Sequence, residues 1–299
     1  MSPVVPTPRR SSTPSRSNRF RTIFGVDFSG AKLAGRNIWI ARCRAGRGKT
    51  SPLVLEDLSS LESLAGAAER ERALAHLVNL IGASEDALWS IDCPFGMPVE
   101  VLDDGFTWPD QLRLVERWRG GAYAFGLWCL GRAKRLGGAM HIRRTTDVDT
   151  KAPFDCYHYR MIYQSFHGMR DVVAPLARRR GTAVAPFQFR RLPTARRVLV
   201  ETCPSSTLKR LGLPHHNYKQ PAGGPLTARR RRTRGVILEG LSGFIEIDPA
   251  ARRRIMRNPG GDALDAVIAA VGGRAGWLAA DPRALAAHHR YPLEGHIYA

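Results

Sequence analysis

Five carboxylates stand where an acidic side chain can do chemistry. Asp27 closes the apolar run that starts at Thr22, Asp92 closes Leu88–Asp92, and Glu201 closes Arg197–Glu201. Each run reads as a strand and is followed at once by a turn: Phe28–Ser29–Gly30, Cys93–Pro94–Phe95–Gly96 and Thr202–Cys203–Pro204. A carboxylate so placed points at the edge of a sheet where ligands bind. Asp262 and Asp265 open a final helix after Gly260–Gly261. Their i, i+3 spacing sets both on one face, and the glycines let another backbone come close. The rest of that helix is apolar (Leu264, Val267, Ile268, Val271), so it packs against something. Two acids on a packed helix need a partner, because unpaired buried carboxylates are costly. A divalent metal is one such partner, and hard oxygen donors suit Mg2+ or Mn2+. Two such ions stabilise the attacking and leaving oxygens of an in-line phosphodiester displacement.

Each acid also has a plainer role. Asp262 serves equally as a helix N-cap, and Asp265 as a first-turn acid favoured by the helix dipole. Asp27 fits turn chemistry before Ser29–Gly30. Asp92 or Glu201 can pair with an arginine. The five together carry the signal, in a chain with only 26 acids among 299 residues.

The counter-charge is large. The chain has 46 Lys+Arg, of which 40 are Arg, and a net charge of +20. Arginine forks match phosphate oxygens, and a basic balance of this size is the footprint of a polyanion partner, nucleic acid first. Lys32, Lys219, Arg231 and Arg234 flank the carboxylate motifs and the Gly/Pro loop 215–227, and are the candidate grips on a substrate backbone; solvated surface cations are the alternative. The aromatics Trp108, Trp118, Tyr123, Trp128, Tyr157, Tyr159 and Tyr163 stud the 99–195 region and either stack on bases or fill a core. Cys93 and Cys203 sit beside candidate acids, but small buried thiols are the simpler reading.

The elements that must position these residues follow from pattern. Residues 1–20 hold Pro, Ser and Arg and no acid, so a disordered basic tail is expected there. The domain then spans residues 21–299. Strands are expected over Thr22–Asp27, Asn37–Cys43 and Leu53–Leu58, as an antiparallel meander. A capping box of Ser59 and Glu62 predicts one helix running to about Ile81. Strands follow at Leu88–Asp92 and Arg197–Glu201. Helices are expected over Gln111–Arg119, Tyr123–Leu136, Cys156–Arg178, Thr207–Leu211, Ala228–Leu241 and from Asp262 to about Ala275. Residues 99–195 therefore read as a mostly helical insertion within an α/β domain. No apolar run reaches the ~18–20 residues of a membrane span. Five cysteines without a CxxC pair exclude a disulfide framework and a zinc ribbon. A reducing cytoplasm is the expected compartment.

Four motifs occur in a telling order: Gly25–Val26–Asp27–Phe28–Ser29–Gly30–Ala31, Ile91–Asp92–Cys93–Pro94–Phe95–Gly96–Met97–Pro98, Glu201–Thr202–Cys203–Pro204–Ser205 and Gly261–Asp262–Ala263–Leu264–Asp265–Ala266, before the closing Glu294–Gly295–His296–Ile297–Tyr298. Over residues 22–298 the chain resembles the predicted RNase H-like nucleases of domain-of-unknown-function family 429, with residues 99–195 the least matched. The order of acids is also similar to that of Holliday-junction resolvases of the same superfamily. The resemblance implies an RNase H-like mixed sheet, with three antiparallel and further parallel strands, and metal-dependent phosphodiester hydrolysis. It implies Asp27, Asp92 and Asp265 or Asp262 as metal ligands, with Glu201 a further catalytic acid. The final helix lacks a clear histidine, so the motif supplies no general base. Two other readings stand beside it. One is a non-catalytic nucleic-acid binder. The other is an ATP-using kinase or ATPase, since Asp27 with Ser29–Gly30 also resembles a sugar-kinase phosphate loop; one sheet domain where those enzymes use two speaks against it.

Overall fold

The computed structural model describes residues 19–46, 48, 50–220 and 223–299. Its strands are β1 (Thr22–Asp27), β2 (Trp39–Arg44), β3 (Leu53–Ser60), β4 (Ala87–Asp92), β5 (Thr182–Val184), β6 (Arg197–Glu201) and β7 (Ile245–Glu246). They form one mixed sheet in the order β5-β6-β4-β1-β2-β3-β7. β2 pairs antiparallel with both β1 and β3. β4 crosses back to lie parallel to β1, and β6 parallel to β4. The longer helices are α1 (Arg70–Ala83), α2 (Trp108–Arg117), α3 (Gly121–Arg135), α4 (Ala228–Gly240), α5 (Pro249–Arg257) and α6 (Asp262–Ala279). Among the described residues no helix is long and apolar enough to cross a membrane.

Side chains alternate across a strand, and this divides the sheet into two faces. Ile23, Leu88, Val198 and Val200 face α6 and share a core with its Ala263, Leu264, Val267 and Ile268. Val26, Trp89, Ile91 and Leu199 face the other way, onto Leu74, Leu77 and Ile81 of α1. Region 99–195 supplies the rest of that layer, through Phe125, Phe166, Met169 and Val172. Gly25 explains how α6 comes so near the sheet: a Cβ there would sit 2.0 Å from the carbonyl oxygen of Ala266.

Several local expectations are corrected. β3 runs on to Ser60, so Ser59 is still in the strand and its hydroxyl donates to Asp57. Ser60 caps a short helix, Leu61–Ala65, and α1 starts separately at Arg70, so the expected single helix is two. Cys156–Met161 is a run of turns, because the Asp155 carboxylate accepts from the backbone N–H of Tyr157 (3.1 Å). Helix begins only at Ile162 and passes through a wide π turn at Gly168–Val173. β5 and β7 have three and two residues, too few for periodicity to reveal. Of the expected tail, residues 1–18 lie outside the described residues. Phe20 belongs to the core, buried against Trp277 with ring centroids 5.7 Å apart.

Candidate active site

Asp27 and Asp92 are register partners at the C-terminal ends of adjacent parallel strands, β1 and β4. Asp27 shares its face with Ile23 and Gly25, and Asp92 with Leu88 and Ser90, so alternation turns both toward α6. Asp262 and Asp265 meet them there. All four line one cavity of about 430 Å3, together with Tyr218 and Lys219.

The start of α6 is built to present its acids. Gly261 takes a left-handed conformation (φ 92°) that L side chains rarely adopt. The Asn258 side-chain oxygen accepts from the backbone N–H of Gly261 (2.9 Å) and of Ala263 (3.2 Å). Asn258 therefore does the capping, and Asp262 is released from the N-cap role that its position suggested. Asp265 is buried, takes a hydrogen bond from the Tyr218 hydroxyl (2.8 Å), and is ion-paired with Lys219. The Lys219 side chain is 43% exposed, so its ammonium reaches the acids from an open stem.

The electrostatics show one cation among too many anions. Burial raises Asp27 well above the usual carboxylate range; Lys219 opposes this, and Asp265, Asp262 and Asp92 add to it. Asp92 is pushed up to about 8 by burial and by Asp265, against Lys219. Burial also raises Asp262, again with Lys219 opposing and Asp265 adding. Burial alone would lower Lys219, but Asp265, Tyr218 and Asp27 outweigh it and hold the ammonium well above its usual value. Four acids against one ammonium form an all-oxygen, electron-rich cluster, and its chemistry fits a hard divalent cation. As described, Lys219 takes the place of such a charge on Asp265. Among the described residues no three His, Cys, Asp or Glu side chains are already grouped to hold a metal ion.

Glu201 lines the same cavity, but it reaches it from the other face of the sheet and is already paired. Its register partner on β4 is Ile91, so it faces the opposite side of the sheet from Asp27 and Asp92. There Arg144, fully buried, grips both of its oxygens (2.5 and 2.9 Å) and also holds Asp147 (2.7 Å). The backbone N–H of Phe95 completes the set at 3.0 Å. Glu201 is thus a structural anchor that holds the Pro94–Gly96 turn and the 144–149 segment to the sheet end.

The expected cationic grips separate similarly. Lys219 lies in the cavity. Arg234 is buried and donates to four backbone carbonyls, those of Tyr218 (2.7 Å), Ile255 (2.8 Å), Asn258 (2.7 Å) and Pro259 (2.8 Å). It cannot also grip substrate; it fixes the loop carrying Tyr218 and Lys219 against the cap of α6. Arg231 is exposed on α4 and does not line the cavity. Lys32 lies in a neighbouring groove. Burial pushes the thiols of Cys93 and Cys203 up, the latter to about 12, which disfavours the thiolate at both.

Tyr218, Asn258, Arg144 and Gln164, which donates to the Asp92 carbonyl, went unread in the sequence. Only Asn258 carried a signal, as the first residue of the turn Asn258–Pro259–Gly260–Gly261. Compared with family models, with curated proteins and with solved structures, the chain matches none.

Proposed function

We propose that this protein is a metal-dependent phosphodiester hydrolase of RNase H-like architecture that acts on nucleic acid in the cytoplasm. One observation carries the reading: Asp27 and Asp92, adjacent at the ends of two parallel strands, share a cavity with Asp262 and Asp265 of the helix packed across them. The strand order, the +20 charge and the five unpaired cysteines agree with it. Asp27, Asp92 and Asp262 would hold Mg2+ or Mn2+, joined by Asp265 when Lys219 leaves it. Bound there, two such ions would supply an activated water and neutralise charge on a scissile phosphate. The chain's own part is fixed positioning. Tyr218 orients the Asp265 carboxylate, Asn258 and Gly261 set the pitch of α6, and Lys219, on its open stem, is placed to move from Asp265 to a phosphate oxygen.

A second reading has one observation in its favour. Lys219 already neutralises Asp265, as it would in a protein that binds nucleic acid without cutting it. Cleavage of DNA and RNA, single-stranded, duplex and branched, with Mg2+ or Mn2+ separates the two. We expect Asp27→Asn and Asp265→Asn each to lower cleavage at least ~100-fold with the fold retained. Cleavage surviving in both would contradict this carboxylate centre, and no cleavage by a wild type that still binds nucleic acid would leave the binding protein.

A further inference from the structure

The carboxylate cavity does not end at Asp27. Phe28, Ser29 and Gln164 also line a second groove, of about 690 Å3, which opens beside it. Aromatic and cationic side chains rim this groove in a way the fold does not require. Tyr123, at the start of α3, is 61% exposed, and Tyr163 is 44% exposed. The nearby rings Trp118, Phe125, Trp128 and Phe166 contact one another, edge-on, tilted or stacked. Among the described residues neither Tyr123 nor Tyr163 stacks on any ring, although both line the groove. Lys32, Arg70 and Arg160 line it too, and among the described residues none of the three is ion-paired with a carboxylate. Arg170, beside them, is neutralised by Asp171 at 2.8 Å. Arg70 is aimed by a hydrogen bond to the Gly30 carbonyl (3.0 Å), in the turn that follows Asp27. Arg160 is aimed by the Tyr159 hydroxyl (3.0 Å).

We propose that this groove binds single-stranded nucleic acid, stacking unpaired bases on Tyr123 and Tyr163 and holding phosphates with Lys32, Arg70 and Arg160. The rings decide for a single strand. In a duplex both faces of each base are covered by neighbouring bases, and only a single strand can offer a face to a tyrosine. The cations supply contacts independent of sequence. The volume is that of a pocket for one small ligand, ~300–1,000 Å3, and suits one or two nucleotides. Because the groove shares Ser29 and Gln164 with the cavity, a strand lying in it leads to Asp27 and Asp92. That last step rests on the nuclease reading; the binding does not.

The test separates the two. Full-length wild-type protein in excess chelator is titrated into fluorescently labelled 15-mers of dT and U and into a 15-base-pair duplex, followed by anisotropy. We expect either single strand to bind at least ~10-fold tighter than the duplex. Tyr123→Ala and Tyr163→Ala should each weaken single-strand binding ~5- to 100-fold with unchanged melting temperature. Tyr123→Phe and Tyr163→Phe should retain it, because the ring is kept. Replacing Lys32 by Glu should make the dependence of binding on salt less steep. Equal affinity for strand and duplex, or alanine variants that bind like wild type, overturns the proposal. Mn2+-dependent cleavage is measured on the same proteins. Strand binding without cleavage would leave the groove and remove the nuclease, and cleavage without tyrosine-dependent binding would do the reverse.

Discussion

Asp92 shows at one residue what the cluster as a whole contains. An ordinary aspartate titrates near ~3.9, whereas burial and Asp265 push Asp92 up to about 8. The folded protein therefore holds a proton that the unfolded chain releases. This favours folding at pH below the unfolded value, and the advantage is lost as pH rises through about 8. Asp92→Asn cannot ionise. In chelator at pH 8.5 it should melt a few degrees above wild type, and the gap should close toward pH 4. Equal melting at both pH values would mean that the site carries no surplus negative charge. At this scale the acids themselves were legible: Asp27, Asp92, Asp262 and Asp265 all reach one cavity. Glu201 lines that cavity too, but a strand-end position does not reveal which face a side chain takes. Only the pairing of Glu201 with Ile91 fixes that, and it hands the carboxylate to Arg144. Arg234 was misread for a related reason. An arginine in a basic run looks like surface, and only the packed loop shows four carbonyls around its guanidinium.

The elements that matter most are β1 and α6, which hold acids from opposite sides of the cavity. Their contact depends on Gly25, where an added methyl would meet helix backbone rather than a movable side chain. Gly25→Ala should cost about 3 kcal/mol, the upper end for an overpacked core. It should also weaken metal binding by tilting Asp265 away from Asp27. Chemical denaturation checks the first effect. Wild-type stability would mean that α6 is free to shift. β1, β6 and the start of α6 were legible because an apolar run ending in an acid and a turn has sharp boundaries. The helix expected from Ser59 to Ile81 was not, since a strand that continues to Ser60 moves the cap by one residue. Three-residue β5 and two-residue β7 exist because a neighbouring strand offers them a ladder, and their own sequences hold too little pattern to announce it.

Across the whole molecule the positive charge has more than one use. Arg144, Arg197 and Arg234 are buried and hold backbone or acids in place, so part of the arginine excess is architecture. Arg178, Arg179, Arg180, Arg191 and Arg196 line a cleft at the N-terminal ends of β5 and β6, the opposite end of the sheet from the carboxylates. At the carboxylate end the balance reverses, with four acids around Lys219 and a cationic groove alongside. In the proposed reading, the basic body would draw in a polyanion and the acidic centre would hold a divalent cation beside it. The most direct measurement is therefore Mn2+ titration by calorimetry into wild type and Asp27→Asn, with cleavage of labelled DNA and RNA followed in the same samples. We expect Mn2+ uptake and cleavage by wild type, and loss of both in the variant at unchanged fold. No uptake by either protein, with nucleic acid still bound, would contradict the metal-dependent centre and leave a binding protein whose acids serve Lys219 alone.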